Sequence, residues 1–306
     1  MAGISLVQSA RMTDDVLQAG VIEVLATESK LLQLLPFMNV AGSGYSYNVE
    51  KNLGSAQFRK VNGGYTPTAI ETVRVTEALV IMGDEAIVDT FQIAVHSDVN
   101  NLMALEVQLR TKAIAHKFEQ CFINGAGDGT PSETKANEFY GIMTRYKTAA
   151  TAGAKNDLQK MMSTQVLQNS KDAPYDIVAD LDELADMVRG GADCFIMNKK
   201  TRRELTAKGR AYCEYRQGEF GTQFVQYGGI DIVDVDAEIG LADHEIIAVK
   251  FGAKEAVCGL QNGSVRVTAL GEMESQPQLK TRIEWFVGLA VFNPYTVAIK
   301  LANKTA

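Results

Sequence analysis

The sequence predicts a mixed α+β fold with long extensions. Three observations carry this prediction: an amphipathic helix over 99–124, a polar two-stranded segment over 44–82, and a last quarter patterned as strands. The chain has 306 residues, of which 46% are hydrophobic and 22% are charged. This is ordinary globular composition, and a chain of this length can bury a sizeable core in one large domain or two smaller ones.

The N-terminal part is predicted to be a flexible leader over 1–12, followed by a helical pattern that Thr13 caps and Pro36 ends. Gly20 weakens this pattern, which therefore also allows two shorter helices. Asp98 is the expected cap of the strongest helix. Its first apolar stripe is Leu102, Leu105, Leu109, Ala113 and His116, and a second set widens it: Met103, Val107, Ile114, Phe118 and Phe122.

Residues 44–82 predict a long, largely polar hairpin with its turn at Gly63–Gly64. A two-stranded hairpin alone is marginally stable in water, so this one needs a surface to lie on. Its low apolar content favours a neighbouring subunit as that surface. The edge of a larger sheet within the same chain is the alternative.

The C-terminal half is predicted from local signals. Residues 180–183 form a capping box for a short helix that ends at Gly190–Gly191. Cys194–Met197 is a buried strand, and Asn198 caps a basic helix. Asn262–Gly263 has the sequence of a type I′ hairpin turn. The other predicted strands are 230–233, 245–251, 256–260, 264–270 and an apolar pair over 281–301 that bends at Pro294.

Charge and cysteine usage restrict the class of protein. A net charge of −7 argues against wrapping nucleic acid with the bulk surface, although a protein that merely encloses nucleic acid needs no basic excess. The four cysteines are widely separated, which predicts reduced thiols and neither a zinc site nor a disulfide framework. No apolar run has membrane-spanning length, and no signal peptide is expected at the N-terminus.

No catalytic, cofactor or metal site is predicted. The three histidines, His96, His116 and His244, have no carboxylates at a useful spacing. The glycine-rich stretch 125–130 follows a helix and lacks the Gly-Lys-Ser/Thr ending of a phosphate loop. A soluble α+β enzyme with an unrecognised site therefore stays as a competing hypothesis without a motif to support it.

In order and pattern, these segments resemble the major capsid protein family of tailed phages, which has the Hong Kong 97 fold. The segments that carry the resemblance are 104–125 with 139–142, 195–198, 229–233, 265–267, and 282–291 with Pro294. The resemblance implies an N-terminal arm, an extended hairpin, a spine helix, and peripheral and axial domains. The implied boundaries are 1–43 arm, 44–83 hairpin, 84–145 peripheral domain with spine helix, 146–244 axial domain, 245–288 peripheral sheet, and 289–306 closing strand and tail.

The resemblance also implies the function: copies of the chain assemble as pentamers and hexamers into an icosahedral shell that encloses double-stranded viral DNA. The expected location is the virion capsid, after synthesis in the host cytoplasm. Because the arm begins close to Met1, a separate scaffold protein is expected rather than an encoded prodomain, unless the sequence is already trimmed. A portal protein and a decoration protein are further expected partners. An encapsulin-type nanocompartment shell, which shares the fold, is the alternative.

Two sets of residues are candidates for contacts between subunits. Arg59, Lys60 and Arg74 on the hairpin are expected to form intersubunit ion pairs, although a solvated charged strand face is the alternative. In some relatives a hairpin lysine is joined covalently to an asparagine of a neighbour. The matching residues are Lys51 or Lys60 as donor and Asn262 as acceptor, but no carboxylate can be assigned as the base, and an ordinary turn at Asn262 is favoured.

Overall fold

The computed structural model describes residues 16–52, 56–66, 69–96, 102–126, 137–151, 156–169, 175–208, 213–217, 222–236 and 239–302. The predicted caps Thr13 and Asp98, the predicted leader over 1–12 and most of the glycine-rich stretch 125–130 lie outside these residues. The described part is an α+β structure with two large sheets and a separate two-stranded ribbon.

Eight α-helices are present in the described part: α1 Val16–Glu28, α2 Lys30–Leu34, α3 Thr90–His96, α4 Leu102–Asn124, α5 Ile142–Thr151, α6 Asp157–Ser163, α7 Ile177–Met187 and α8 Lys199–Lys208. The strands are β1 Phe37–Asn39, β2 Gly44–Asn52, β3 Glu71–Ala78, β4 Val80–Asp89, β5 Val166–Leu167, β6 Cys194–Asn198, β7 Cys213–Gln217, β8 Gln223–Tyr227, β9 Ile230–Val235, β10 Ile246–Val249, β11 Val257–Gln261, β12 Arg266–Met273, β13 Gln276–Val291 and β14 Val297–Lys300.

The five-stranded sheet is organised around β13. One edge of β13 pairs with β4, and the opposite edge pairs first with β12 and then with β11, which in turn pairs with β1. Gln261 is opposite Val287 and Arg266 is opposite Glu284, so four residues of one strand face two of the other. The predicted hairpin turn at Asn262–Gly263 is therefore wrong: these residues form a bulge between two collinear strands.

The seven-stranded sheet has the order β5-β14-β10-β6-β9-β8-β7. The predicted buried strand over 194–197 is confirmed as β6, and Asn198 accepts a hydrogen bond from Thr201 N at 2.7 Å as the cap of α8. The predicted segment 245–288 is divided between the sheets, because β10 pairs with β6 and β14 whereas β11, β12 and β13 lie in the other sheet.

The helix predicted from residues 180–183 begins earlier than expected. Asp176 is the cap of α7, since its side chain accepts from Val178 N at 3.2 Å. Asp180 lies inside the helix and is buried against the sheet. The predicted capping box is therefore wrong, because Asp180 is an inward-facing position of the helix.

Two helices occupy the N-terminal pattern, but the chain breaks at Ser29 and not at Gly20. Ser29 Oγ accepts from Leu32 N at 3.2 Å, which caps α2, and donates to Glu119 Oε1 at 2.5 Å. Both residues are buried. A serine with two such bonds both ends one helix and starts the next, and it ties the pair to α4.

The apolar face of α4 differs from the predicted one. The buried residues include Val107, Ile114, Phe118 and Phe122, which belong to the second predicted set. Leu105 and Leu109 of the first stripe are 46% and 52% exposed. The second set faces the sheet because Phe118 packs on the rings of Phe37 and Trp285, at centroid distances of 6.0 and 5.3 Å.

The buried carboxyl group of Glu119 predicts a pH-dependent stability. Burial raises the pKa of Glu119 above its ordinary value of 4.5. The folded chain then holds this proton more tightly than the unfolded chain, so the contribution is fully present below about pH 4.5 and is lost as the pH rises through the raised pKa. We expect Glu119→Gln to flatten the fall in the free energy of unfolding as the pH rises above about 4.5, measured by urea denaturation of dissociated subunits.

Ser29→Ala is the matched second variant for this test. The hydrogen bond from Ser29 lowers the pKa of Glu119, so its loss is expected to steepen the same pH dependence. An unchanged slope in both variants would contradict the assignment to Glu119.

Candidate intersubunit surfaces

The predicted hairpin is confirmed as a two-stranded antiparallel ribbon of β2 and β3. It ends at Ala78 rather than Met82, because Val80–Asp89 pairs with β13 in the five-stranded sheet. Part of the ribbon is anchored on its own chain. Tyr47 and Val49 are buried, the Tyr47 hydroxyl donates to Val291 O at 2.9 Å, and burial raises the pKa of Tyr47.

A buried ion pair fixes the same part of the hairpin. The Arg145 side chain is almost fully buried, and its Nη2 donates to Glu77 Oε2 of β3 at 2.8 Å. Arg145 Nε donates to Tyr140 O at 2.9 Å, and Nη2 also lies 3.3 Å from Leu289 O. One guanidinium group therefore joins the hairpin, the start of α5 and β13.

The far end of the hairpin has no such anchor among the described residues. We call this surface the hairpin tip: Phe58, Arg59, Lys60, Val61, Tyr65 and Ile70. Phe58 is fully exposed and Val61 is 92% exposed, and Tyr65 and Ile70 are also exposed. Large apolar side chains in water are costly, so this surface is typical of an interaction site.

The turn within the tip differs from the predicted Gly63–Gly64 turn. Gly63 N donates to Lys60 O at 3.0 Å, and Asn62 has a φ of 63°. Asparagine tolerates this left-handed conformation better than most residues. The turn therefore covers Lys60–Gly63 and displays Val61 at its end.

The predicted ion-pairing residues are all exposed on the ribbon. Arg59 lies 5.5 Å from the centre of the Tyr65 ring. Within the described residues, Arg59, Lys60 and Arg74 form no ion pair, so their positive charges face solvent in the single chain. Their use between subunits stays a prediction.

The predicted cross-link residues are not brought together within one chain. Lys51 Nζ pairs with Asp157 at 3.1 Å and also with Glu71, and the hydrogen bonds to Glu71 and Asp157 raise the pKa of Lys51. Because a nucleophilic amine must be uncharged, this pairing opposes the reaction at Lys51. Lys60 is exposed on the tip. Asn262 lies in the bulge between β11 and β12, and its Nδ2 donates to Gly42 O at 3.3 Å. Cross-linking stays a prediction.

A second exposed surface lies on the five-stranded sheet. We call it the outer sheet face: Ile81, Glu85 and Ile87 of β4, with Lys280, Arg282 and Glu284 of β13. Ile81 and Ile87 are exposed apolar residues. Glu85 accepts from Arg282 Nε at 2.9 Å and pairs with Lys280, and hydrogen bonds from Lys280 and Arg282 lower the pKa of Glu85.

The described part of the chain also gives information on metal binding, on the cysteine thiols and on membrane-spanning helices. It contains no group of three His, Cys, Asp or Glu side chains suited to a metal ion. The four cysteines are buried thiols, and burial raises the pKa of Cys121 and of Cys258 to about 11. None of the described helices combines the length and the apolar character needed to span a bilayer.

Comparison with solved structures identifies the fold. The chain is similar to the capsid of the native GTA particle, with a TM-score of 0.64 at 16% identity over 91% of each chain. The structure titled Microbacterium phage Oxtober96 gives a TM-score of 0.62 at 14% identity, over 90% of this chain and 91% of that chain. The SrpI encapsulin of Synechococcus elongatus PCC 7942 gives 0.59 at 16% identity over 90% of each chain. At these identities the structures show the fold alone.

A family model supports a capsid protein over the nanocompartment shell that shares this fold. The model described as Major capsid protein GP7 matches residues 13–164. The chain is a Hong Kong 97-like major capsid protein. A search of curated proteins finds no match. The match to the capsid family model covers α1, the hairpin and α4, so the candidate surfaces of this capsid protein lie largely within the matched region.

Proposed function

We propose that this capsid protein builds an icosahedral shell from pentamers and hexamers, with the hairpin tip of one copy lying on the outer sheet face of the next. The observation that carries this proposal is the exposure of Phe58 and Val61 at the end of a hairpin whose base is anchored on its own chain. In the shell a neighbouring copy covers these two side chains, which the described part of the same chain leaves exposed.

The two surfaces are suited to each other in composition. The tip combines Phe58 and Val61 with Arg59 and Lys60, which form no ion pair among the described residues. The outer sheet face places Ile81 and Ile87 beside Glu85 and Glu284, whose carboxylates pair with Lys280 and Arg282 in the single chain. Apolar contact supplies most of the stabilisation, whereas the charges set register and orientation. Each contact is head-to-tail, and such contacts close into rings when the rotation between copies permits.

The double variant Phe58→Asp/Val61→Asp tests this proposal. It replaces the apolar tip with negative charge but leaves the buried base of the hairpin intact, so we expect folded subunits that no longer form shells. Sedimentation velocity and electron microscopy measure assembly, and circular dichroism measures folding. Normal shells from the double variant would overturn the proposed contact.

Asn62→Asp is the matched control. It adds a negative charge to the same turn, tolerates the same left-handed backbone, and keeps both apolar side chains. Shell yield from this variant is expected to stay close to that of the wild type.

The proposed contents, location and partners of the shell follow from the identification as a capsid protein. We propose that the shell encloses double-stranded DNA in the virion, that the subunit is made in the host cytoplasm, and that it has no catalytic role. A scaffold protein, a portal protein and a decoration protein are its proposed partners. The net charge of −7 supports enclosure of DNA without extensive phosphate contacts. Mass spectrometry of purified shells distinguishes this content from the cargo enzyme expected in a nanocompartment.

We also propose the division into arm 1–43, hairpin 44–83, peripheral segments 84–145 and 245–288, axial domain 146–244, and closing segment 289–306. The separate ribbon and the two sheets support such a division, except that residues 80–83 pair within the five-stranded sheet and that β10 and β14 belong to the seven-stranded sheet.

A further inference from the structure

We propose that Lys300 and Asp180 are joined by an intramolecular isopeptide bond, a modification that does not depend on the proposed shell contact. The two side chains meet between helix α7, which carries Asp180, and the seven-stranded sheet, whose strand β14 carries Lys300. Alternation along β14 places Ala298 and Lys300 on the face of the sheet that α7 covers, whereas Val297 and Ile299 pack into the other core. Asp180 lies on the buried side of α7 and forms an ion pair with Lys300 Nζ.

The surroundings of the pair are apolar and closed to solvent. The side chain of Lys300 is 0% exposed and that of Asp180 is 6% exposed. Around them lie Ile177, Leu181, Leu184 and Ala298 of one hydrophobic cluster. In such a medium water does not solvate the two groups, so the ion pair depends on the contact between them alone.

The hydrogen-bonding inventory favours an amide over an ammonium at this position. An ammonium group has three donors. Among the described residues, Lys300 Nζ contacts the Asp180 carboxylate and lies 5.2 Å from the centre of the Tyr175 ring, but it has no partner with hydrogen-bond geometry. An amide nitrogen carries a single N–H, which reduces the number of donors left without an acceptor.

The reaction balances without an external reagent. In the first step a proton passes from Lys300 Nζ to Asp180 Oδ2, with which it is in contact, and the amine nitrogen then attacks Cγ as the N–C bond forms. Asn169 Nδ2, 3.3 Å from Asp180 Oδ1, donates to the oxygen that gains negative charge in the tetrahedral intermediate. The bond from Cγ to Oδ2 then breaks, and Oδ2 leaves as water with a proton taken from the nitrogen. One water is released, and nothing is oxidised or reduced.

Tyr175 is the positioning residue in this cluster. Its hydroxyl is buried and has no hydrogen-bond partner in the described structure, and its ring lies against Lys300. The ring closes one side of the space around Lys300 Nζ, so it helps to hold the amine against the Asp180 carboxyl. Tyr175→Ala removes the ring and is expected to slow bond formation, whereas Tyr175→Phe keeps the ring and is expected to leave the rate close to that of the wild type.

Intact mass spectrometry of the purified full chain tests the proposal. We expect a mass lower by one water than the sequence requires, and a protease digest that yields a branched peptide joining the fragments with Lys300 and Asp180. Lys300→Arg is expected to have the full mass, and Lys250→Arg, whose lysine contacts Gly190 O at 2.9 Å, is expected to keep the loss. If Lys300→Arg does not fold, the wild-type digest decides alone. A wild-type chain of full mass without the branched peptide would overturn the proposal.

Discussion

Arg145→Met is expected to destabilise the dissociated subunit by about 3–5 kcal/mol, because it leaves the carboxylate of Glu77 largely buried without its cation. The same change removes the hydrogen bonds to Tyr140 O and Leu289 O. Since Arg145 joins the base of the hairpin to β13, the ribbon is expected to loosen first. Urea denaturation measures the loss of stability, and hydrogen exchange of β2 and β3 measures the local loosening.

Arg110→Met is the matched control for this result. Arg110 also pairs with two carboxylates, Glu106 and Asp84, but its side chain is 42% exposed. An exposed pair of this kind contributes about 0–1 kcal/mol. Equal losses in the two variants would show that burial is not the source of the effect at Arg145.

Gly259→Ala is expected to cost about 3 kcal/mol, since it overpacks the core. Gly259 pairs with Phe37 across β1 and β11, and an added Cβ would lie 2.3 Å from Phe37 Cε1. The ring of Phe37 then has to leave its contacts with Phe118 and Trp285. Denaturation of dissociated subunits and the near-ultraviolet signal of Trp285 measure the loss.

Gly20→Ala provides a control of opposite sign. Gly20 lies on the exposed side of α1, and an added Cβ would have nothing within 4 Å. Alanine in a helix is more stable than glycine by about 0.5–1 kcal/mol. A second variant, Phe37→Leu with Gly259→Ala, is expected to recover part of the lost stability, because it makes room for the new methyl group.

Elements whose structure is decided by neighbouring residues in the sequence could be predicted from the sequence. The run Cys194–Met197 is apolar throughout, and Asn198 follows it with a cap that needs only the next three residues. The ribbon of β2 and β3 also follows from its own alternation. In these segments the pattern within about ten residues decides the structure, so distant parts of the chain do not change the outcome.

Elements whose partners lie far away in sequence were predicted less well. Both stripes of α4 are apolar, and the choice between them depends on Phe37 and Trp285, which no local pattern reveals. Asn262–Gly263 has a local turn signal, but β13 pairs with the strands on both sides of it. Asp180 has the position of a capping residue in sequence, although its partner Lys300 is 120 residues away.

The two candidate surfaces also differ in how far they could be predicted from the sequence. The hairpin could be located from its polarity, yet the exposure of Phe58 and Val61 depends on where the anchored part ends, and the buried ion pair from Arg145 to Glu77 decides this. The outer sheet face could not be predicted, because it combines β4 with a strand almost two hundred residues later.

The arrangement of strands around β13 has a mechanical consequence. This strand has 16 residues, which corresponds to about 50 Å, and it is held on both edges along most of its length. Hydrogen bonds in an antiparallel ladder run perpendicular to the strands. Tension along β13 therefore loads the whole ladder in shear, whereas tension across the sheet would unzip it one bond at a time. The five-stranded sheet is therefore expected to resist tension along β13 better than tension across it.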